Sequence, residues 1–351
     1  MSRVLGWVRA NLFSSVPSAI ATLAIAWLAF KLIPPFVDWA FLEAIWSAAD
    51  SQACRQAKGE GACWAFIAEK HRFIFFGTYP YDQHWRPAGV IALLLSLYAL
   101  SAWRRTWHWW LAIIWACGLA AIGVLMWGGV PGLPYVENGR WGGLALTLLL
   151  ATFGLAFAFP LSILLALGRR SELPLVRAFC IAYIELIRGV PIITFLFMAS
   201  VMFPLFVPEG FTVDKLLRAQ IAFVLVIAAY LAEVIRGGLQ AIPAGQHEAA
   251  ASMGLNYWQA TLLIVLPQAV RMTIPALVNT FIAFFKDTSL VAIVGLFDLL
   301  GAAKAVNVDP KWFGFSVEVY LFAGAVYFVF CYAVSQYTQR LERILKVAAA
   351  R

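Results

Sequence analysis

The chain has 351 residues, 63% of them hydrophobic and only 13% charged, with a formal net charge of +8. About a quarter of a soluble domain is charged, so this balance excludes a soluble fold and points to an all-α polytopic membrane protein. The basic residues are scattered with no clustered motif, so they mark membrane topology and lipid headgroups and exclude nucleic acid as a partner.

Met1 to Asn11 carries two Arg but no small-residue cleavage site, so Leu12 to Phe30 reads as a retained first helix. Thr106 to Val136, Trp141 to Gly168, Gly189 to Pro208 and Tyr320 to Gln339 likewise lack Asp, Glu, Lys and Arg. Each reaches the roughly 20 residues that a helix needs to cross a bilayer with its backbone paired internally. Arg3, Arg9, Arg104, Arg105, Arg169, Arg170, Arg236, Arg271, Arg340, Arg343 and Lys346 mark the cytoplasmic side. Threading on that rule predicts eight helices, at 12–36, 87–103, 108–129, 142–168, 176–205, 217–238, 266–290 and 315–338, with both termini cytoplasmic.

Residues 37–86 then form an external loop holding Cys54 and Cys63, which are either a disulfide or two free thiols. Cys117, Cys180 and Cys331 fall in helices, as small buried hydrophobes. "FIFFGTYPYDQHWRP", Phe73 to Pro87, reads as an interfacial re-entry segment. The four histidines share no ligand spacing, and no metal site is expected.

The stretch "EAAASMGLNYWQATLLIVLP", Glu248 to Pro267, is apolar enough for a span, but a ninth crossing would place the basic C-terminus outside. Pro243 suits a helix's first turn and Gly254 its C-terminal cap, which predicts a short helix over about 243–254. Asn256 then caps a new helix, and Pro267 kinks it. The pattern of Glu248, Ala249, Ala250, Gly254, Ile264, Leu266 and Pro267 resembles the cytoplasmic loop of the permease subunits of bacterial ABC importers.

"YIELIRGVPIITFLF", "AAYLAEVIRGGLQAIPAGQHEAA" and "NTFIAFFKDTSLVAIVGL" are similar to motifs of the polar amino-acid branch of that family, although Val190 stands where the branch commonly has Thr. The extra N-terminal helices and the loop segments "CWAFIAEK" and "YPYDQHWRP" most resemble the second permease subunit of the general L-amino-acid importers of Gram-negative bacteria. The resemblance implies a five-helix type I importer core over 141–345 in the inner membrane, preceded by a three-helix extension over 1–140 with a periplasmic loop at about 37–86. It further implies a coupling helix docked in an ATPase dimer, a second homologous permease forming a heterodimer rather than a homodimer, and a periplasmic amino-acid-binding protein. ATP and Mg would sit on the ATPase, with no cofactor in this chain.

Charge carries a separate argument. Glu185, Arg188, Glu233, Arg236, Lys286 and Asp287 lie in or near apolar helices. A charge at the bilayer centre costs at least ~2.5 kcal/mol, so such groups face a cavity or a partner. A zwitterionic amino acid needs both signs of charge, and "KDTSL" offers them: Asp287, Thr288 or Ser289 caps a helix beginning inside the membrane, or Lys286 and Asp287 snorkel or pair with each other. Glu185 with Arg188 and Glu233 with Arg236 share helix faces, as a substrate pathway or as internal ion pairs. Gly189 and Pro191 allow a bend for a gate or for plain packing. The chain contains no phosphate-binding G-x-x-x-x-G-K-S/T loop and no nucleophile beside a base, so it is not itself expected to be an enzyme. The competing class is an ion-coupled secondary amino-acid transporter, which should show an internal repeat.

Overall fold

The computed structural model describes residues 2–48, 50–56, 58–208 and 213–349, and the side chains of Arg3, Arg104 and Lys346 lie outside the described residues. The helices in chain order are α1 Ser2–Leu12, α2 Val16–Val37, α3 Ser51–Gln56, α4 Trp64–Phe76, α5 Trp85–Ala102, α6 Trp110–Trp127, α7 Gly143–Arg169, α8 Pro174–Gly189, α9 Ile192–Phe197, α10 Lys215–Gln240, α11 Ala244–Ser252, α12 Tyr257–Ala260, α13 Leu266–Asp287, α14 Leu299–Val306 and α15 Ser316–Ala349. Among the described residues, seven helical runs are long and apolar enough to cross a membrane, or eight if the bent pair at 174–206 makes one span.

That pair corrects the single helix expected over 176–205. Pro174–Gly189 and Ile192–Phe206 meet at 100°. Val190 precedes a proline, whose ring forces it out of the helical region; it is extended, and Pro191 starts the next helix as its N-cap.

The chain divides into two compact units. In the larger, residues 72–306 and 320–351, α7 is the central helix: Leu146, Leu150, Ala151 and Ala158 are buried with Phe223, Ala228, Leu231 and Ile235 of α10. Small residues bring the helices together. A Cβ on Gly238 would lie 2.7 Å from the Ala269 carbonyl oxygen, and one on Gly154 would lie 2.6 Å from the Phe284 ring.

The re-entry segment expected at 73–87 is two helix ends joined by a turn at Gly77–Pro80, and its Arg86 is wholly buried. Arg86 Nε donates to the Leu125 carbonyl at 2.6 Å and its guanidinium to the Pro134 carbonyl at 2.9 Å, while the Tyr79 hydroxyl donates to Met126 at 3.0 Å. The C-terminus of α6 thus receives a cation and a hydroxyl in place of the hydrogen bonds its last carbonyls lack. Cys180 is buried and Cys331 half-buried, whereas Cys117 is exposed on the outward face of α6, correcting its expected burial. A thiol there meets lipid as readily as protein, because it behaves as a small hydrophobe.

The smaller unit comprises residues 1–71 and 307–319. Cys54 and Cys63 are joined in a disulfide, with Cα atoms 5.7 Å apart. Phe66 stacks on Trp312 at 5.2 Å, and the Cys63 amide donates to the buried Glu318 carboxylate at 3.1 Å. Gly61 is required here, since a Cβ would collide with the Glu43 carbonyl. Lys70 pairs with Asp309 at 2.6 Å, and that hydrogen bond holds the Asp309 carboxyl below the usual carboxylate range. The pair therefore stabilises the unit above the ordinary aspartate pKa and is lost as pH falls through the lowered one.

Removing the disulfide should loosen this unit by about 2–3 kcal/mol, as for other short loops. Cys54→Ser is expected to expose residues 51–64 to protease in intact spheroplasts; a protection pattern equal to wild type would contradict the staple.

Candidate functional site

The first cluster is the segment after α10. Pro243 is extended and sits at the N-cap of α11. The helix ends in a Schellman pair: Leu255 N–H donates to Ala250 O at 3.1 Å and Gly254 N–H to Ala251 O at 3.0 Å. Gly254 adopts φ +75°, the left-handed conformation this ending demands. Asn256 and Gln259 then exchange hydrogen bonds at 2.9 and 3.0 Å in a capping box that starts α12.

The following turn, Thr261–Val265, is a π-helix, and Pro267 explains it. Lacking an N–H and crowding the carbonyl four residues back, it unseats the ordinary ladder, and the Leu266 N–H reaches back five residues to Thr261. Helical structure then continues without a break to Val294.

Glu248 and Ala249 are exposed, whereas Ala250 is buried and Leu266 half-buried. Gln268 Nε2 donates to Gln246 Oε1 at 3.0 Å, fastening α11 to the start of α13. This fastening and the exposed Met253, Tyr257 and Trp258 are features the sequence reading missed. The aromatic pair directly after the capping box was the available signal. The segment is thus a short, rigid, outward-facing helix joined covalently to α10 and by side chains to α13.

A charged cluster ties the same end of α10 to two neighbours. Glu233 accepts from Arg169 at 2.6 Å and from Arg236 at 2.9 Å, with Arg188 at 3.5 Å. Glu185 pairs with Arg169 at 2.9 Å. The expected Glu233–Arg236 pair therefore forms, but Glu185 turns to α7 rather than to Arg188, because the guanidinium at the end of α7 lies between the two carboxylates. Three arginines face two carboxylates, and Arg188 lies over the Tyr230 ring at 5.7 Å. Arg170 closes the junction by donating to the Leu239 carbonyl at 3.0 Å. A Cβ on Gly189 would meet open space, so that glycine serves no close approach.

At "KDTSL" no new helix begins. The run passes from α13 into a seven-residue 3-10 segment, Thr288–Val294, and the Thr288 hydroxyl donates backward to the Phe285 carbonyl at 2.8 Å. The expected cap by Asp287, Thr288 or Ser289 is overturned: the N–H groups that a cap would serve are spent within the continuing helix. Lys286 is exposed, Asp287 and Ser289 are half-buried, and no Lys286–Asp287 ion pair forms among the described residues.

The cap lies ten residues on, after the left-handed Gly295. Buried Asp298 accepts from the Gly301 N–H and from the Tyr327 hydroxyl, both at 2.8 Å, while burial raises its carboxyl above the usual range. A 3-10 run between an α-helix and a left-handed glycine is a natural hinge.

A family model described as the binding-protein-dependent transport system inner membrane component matches residues 158–347. The chain belongs to this family. It is 49% identical over 351 residues to the inner membrane amino-acid ABC transporter permease protein YhdY of Escherichia coli (strain K12), covering 97% of this chain and 93% of that protein. It is 37% identical over 412 residues to the glutamate/glutamine/aspartate/asparagine transport system permease protein BztC of Rhodobacter capsulatus, again covering 97% and 93%. Among solved structures, a chain from the crystal structure of an amino acid ABC transporter with histidines matches with TM-score 0.51 and 31% identity, over 57% of this chain and 91% of that one.

A type I importer permease core thus accounts for somewhat over half of the present chain, and the two full-length relatives share the rest. Chains of this family are transport components rather than ATPases, which fits the sequence's missing phosphate loop. The exposed α11 lies wholly within the matched region.

Proposed function

We propose that this chain is the permease subunit of an ATP-driven importer of L-amino acids in the bacterial inner membrane, with α11 as the lever that an ATPase partner moves. The observation that carries the proposal is the build of α11: exposed on most of its surface, locked at its C-terminal end, and fastened to both α10 and α13. A helix that only lay at an interface would need none of these fastenings. The arginines Arg169, Arg170 and Arg236 sit at this end of the bundle, which supports reading it as the cytoplasmic end; both termini inside is part of the same proposal.

The ATPase dimer supplies ATP and Mg, a second homologous permease completes the pathway, and a periplasmic binding protein delivers the amino acid. The heteromer reading rests on the resemblance of the N-terminal extension to that of two-permease systems, with residues 1–140 as an addition to the core and a periplasmic loop at about 37–86; the matches to YhdY and BztC include that extension.

The mechanism follows from the fastenings. Closure of the ATPases displaces α11, and α10 and α13 move with it. Glu233, with Arg169, Arg188, Arg236 and Glu185, acts as a latch between α7, α8 and α10 that must rearrange for the cytoplasmic side to open. The break at Gly189–Pro191 and the 3-10 run after Lys286 and Asp287, through Thr288 and Ser289, absorb the motion as hinges.

Replacing Glu233 by Gln should weaken the latch by about 1.4 kcal/mol, a tenfold change in the closed-to-open ratio. The expected readout is raised basal ATP hydrolysis with slower uptake; wild-type values for both would remove the latch. Seating of α11 is tested by single cysteines at 248 and 253 in the assembled transporter. Cross-links to the ATPase are expected from both and none from a cysteine at 217. Absence of cross-links at both positions would count against the lever, and dependence of uptake on an ion gradient instead of ATP would favour the secondary-transporter reading.

A further inference from the structure

An apolar cavity of about 780 Å³ lies between α5 and α6 on one side and α7, α10, α13 and α15 on the other. Leu95, Ala99, Ala156, Phe281, Phe330 and Val334 supply much of its wall. Most of its polar groups are spent: the Tyr98 and Thr152 hydroxyls are 2.5 Å apart, Trp115 Nε1 donates to Ser101 Oγ at 2.9 Å and the Thr338 hydroxyl donates to the Val334 carbonyl, which leaves the Tyr337 hydroxyl without a partner among the described residues. One free hydroxyl matches neither charge of a zwitterion and cannot support a water chain, so this is no path for an amino acid. The volume is that of a ligand site, roughly 300–1,000 Å³. Left empty, its walls would forfeit the contacts that interiors normally make.

The direction of the cavity identifies the occupant. Its lining runs along α5 to Ser101 and Ala102, where that helix ends, and along α15 to Tyr337 and Thr338. Arg105 follows three residues after Ala102 and Arg340 two after Thr338; both are exposed and neither makes an ion pair among the described residues. A hydrocarbon slot whose lining helices each lead, within three residues, to an exposed arginine without an ion pair has the chemistry of an anionic amphiphile.

We propose that this cavity is a binding site for one anionic phospholipid, its acyl chain between α5 and α15 and its phosphate at Arg105 and Arg340. The lipid fills the joint between the added helices and the importer core, completing packing that the protein leaves open.

The test uses the full chain assembled with its co-expressed partner subunits, reconstituted in equal parts of phosphatidylglycerol and phosphatidylethanolamine, with retained lipid identified by native mass spectrometry. Phosphatidylglycerol should be enriched about fivefold or more over its share. Arg105→Gln with Arg340→Gln should bring the enrichment close to one, and Ala156→Phe should reduce retention of either lipid. Equal retention of both lipids by wild type would overturn the proposal, as would unchanged retention in Ala156→Phe. Should that variant fail to insert, photoactivatable acyl-chain phosphatidylglycerol on wild type decides: label on α5 and α15 supports the site, and label confined to other helices overturns it. A cysteine at 99 that cross-links to a partner subunit would place protein there instead, and would also overturn it.

Discussion

Glu248→Lys is expected to lower amino-acid uptake at least a hundredfold while the chain inserts and folds as wild type. Glu248 is exposed and has no ion-pair or side-chain hydrogen-bond partner among the described residues, so the fold loses nothing with it. What changes is the surface offered to the ATPase, where a long cation replaces a carboxylate and removes whatever complementarity that carboxylate provides. Gly254→Asp should act similarly by a different route. Nothing lies within 4 Å of the added Cβ, but φ +75° strains a non-glycine residue by about 1 kcal/mol, and the new carboxylate faces outward beside the lever. Detergent-stable chain at normal abundance, with ATP hydrolysis no longer stimulated by substrate, is the predicted outcome; normal uptake in either variant would contradict the lever.

The second large effect belongs to stability. Arg86 lies buried at the end of α6, where its guanidinium serves two carbonyls at 2.6 and 2.9 Å. Each such charge-assisted hydrogen bond is worth about 1.5–3 kcal/mol, so Arg86→Leu should cost about 3 kcal/mol or more. The expected result is a thermal midpoint lower by roughly 5–10 °C and reduced abundance of the assembled transporter. Lys at the same position carries the charge on a single point donor and should recover part of the loss by reaching one carbonyl. An unchanged midpoint in Arg86→Leu would show that α6 ends without its cation.

These two sites differ in how far the sequence alone reveals them. The lever is built from local chemistry, namely a left-handed Gly254, an Asn256 cap with Gln259 three residues on and a π-turn ahead of Pro267, all within about twenty positions. Such features announce themselves in order along the chain. Arg86 announces nothing, because its partners are carbonyls some forty residues away. A charge near an aromatic run reads as interfacial until the end of another helix is placed beside it.

The same holds for Arg169. Spacing of three within one helix suggested Glu185–Arg188 and Glu233–Arg236, yet a guanidinium from the end of α7 enters between them and takes Glu185. At Gly189 and Pro191 the residues allow a bend, but the long uncharged run around them reads as one helix over 176–205, and the size of the bend, 100°, comes only from the structure. At Thr288 the local signal misled: a hydroxyl suited to capping a new helix donates instead to the turn behind it.

The central claim is that uptake of an amino acid is driven by a partner's ATP through this chain. The most direct measurement is uptake of a panel of radiolabelled L-amino acids into proteoliposomes holding this chain with its neighbouring gene products, with and without hydrolysable ATP, in the presence and absence of an imposed ion gradient. The account predicts uptake that requires ATP, ignores the gradient and disappears in Glu248→Lys. Uptake that persists without ATP and collapses with the gradient would contradict it.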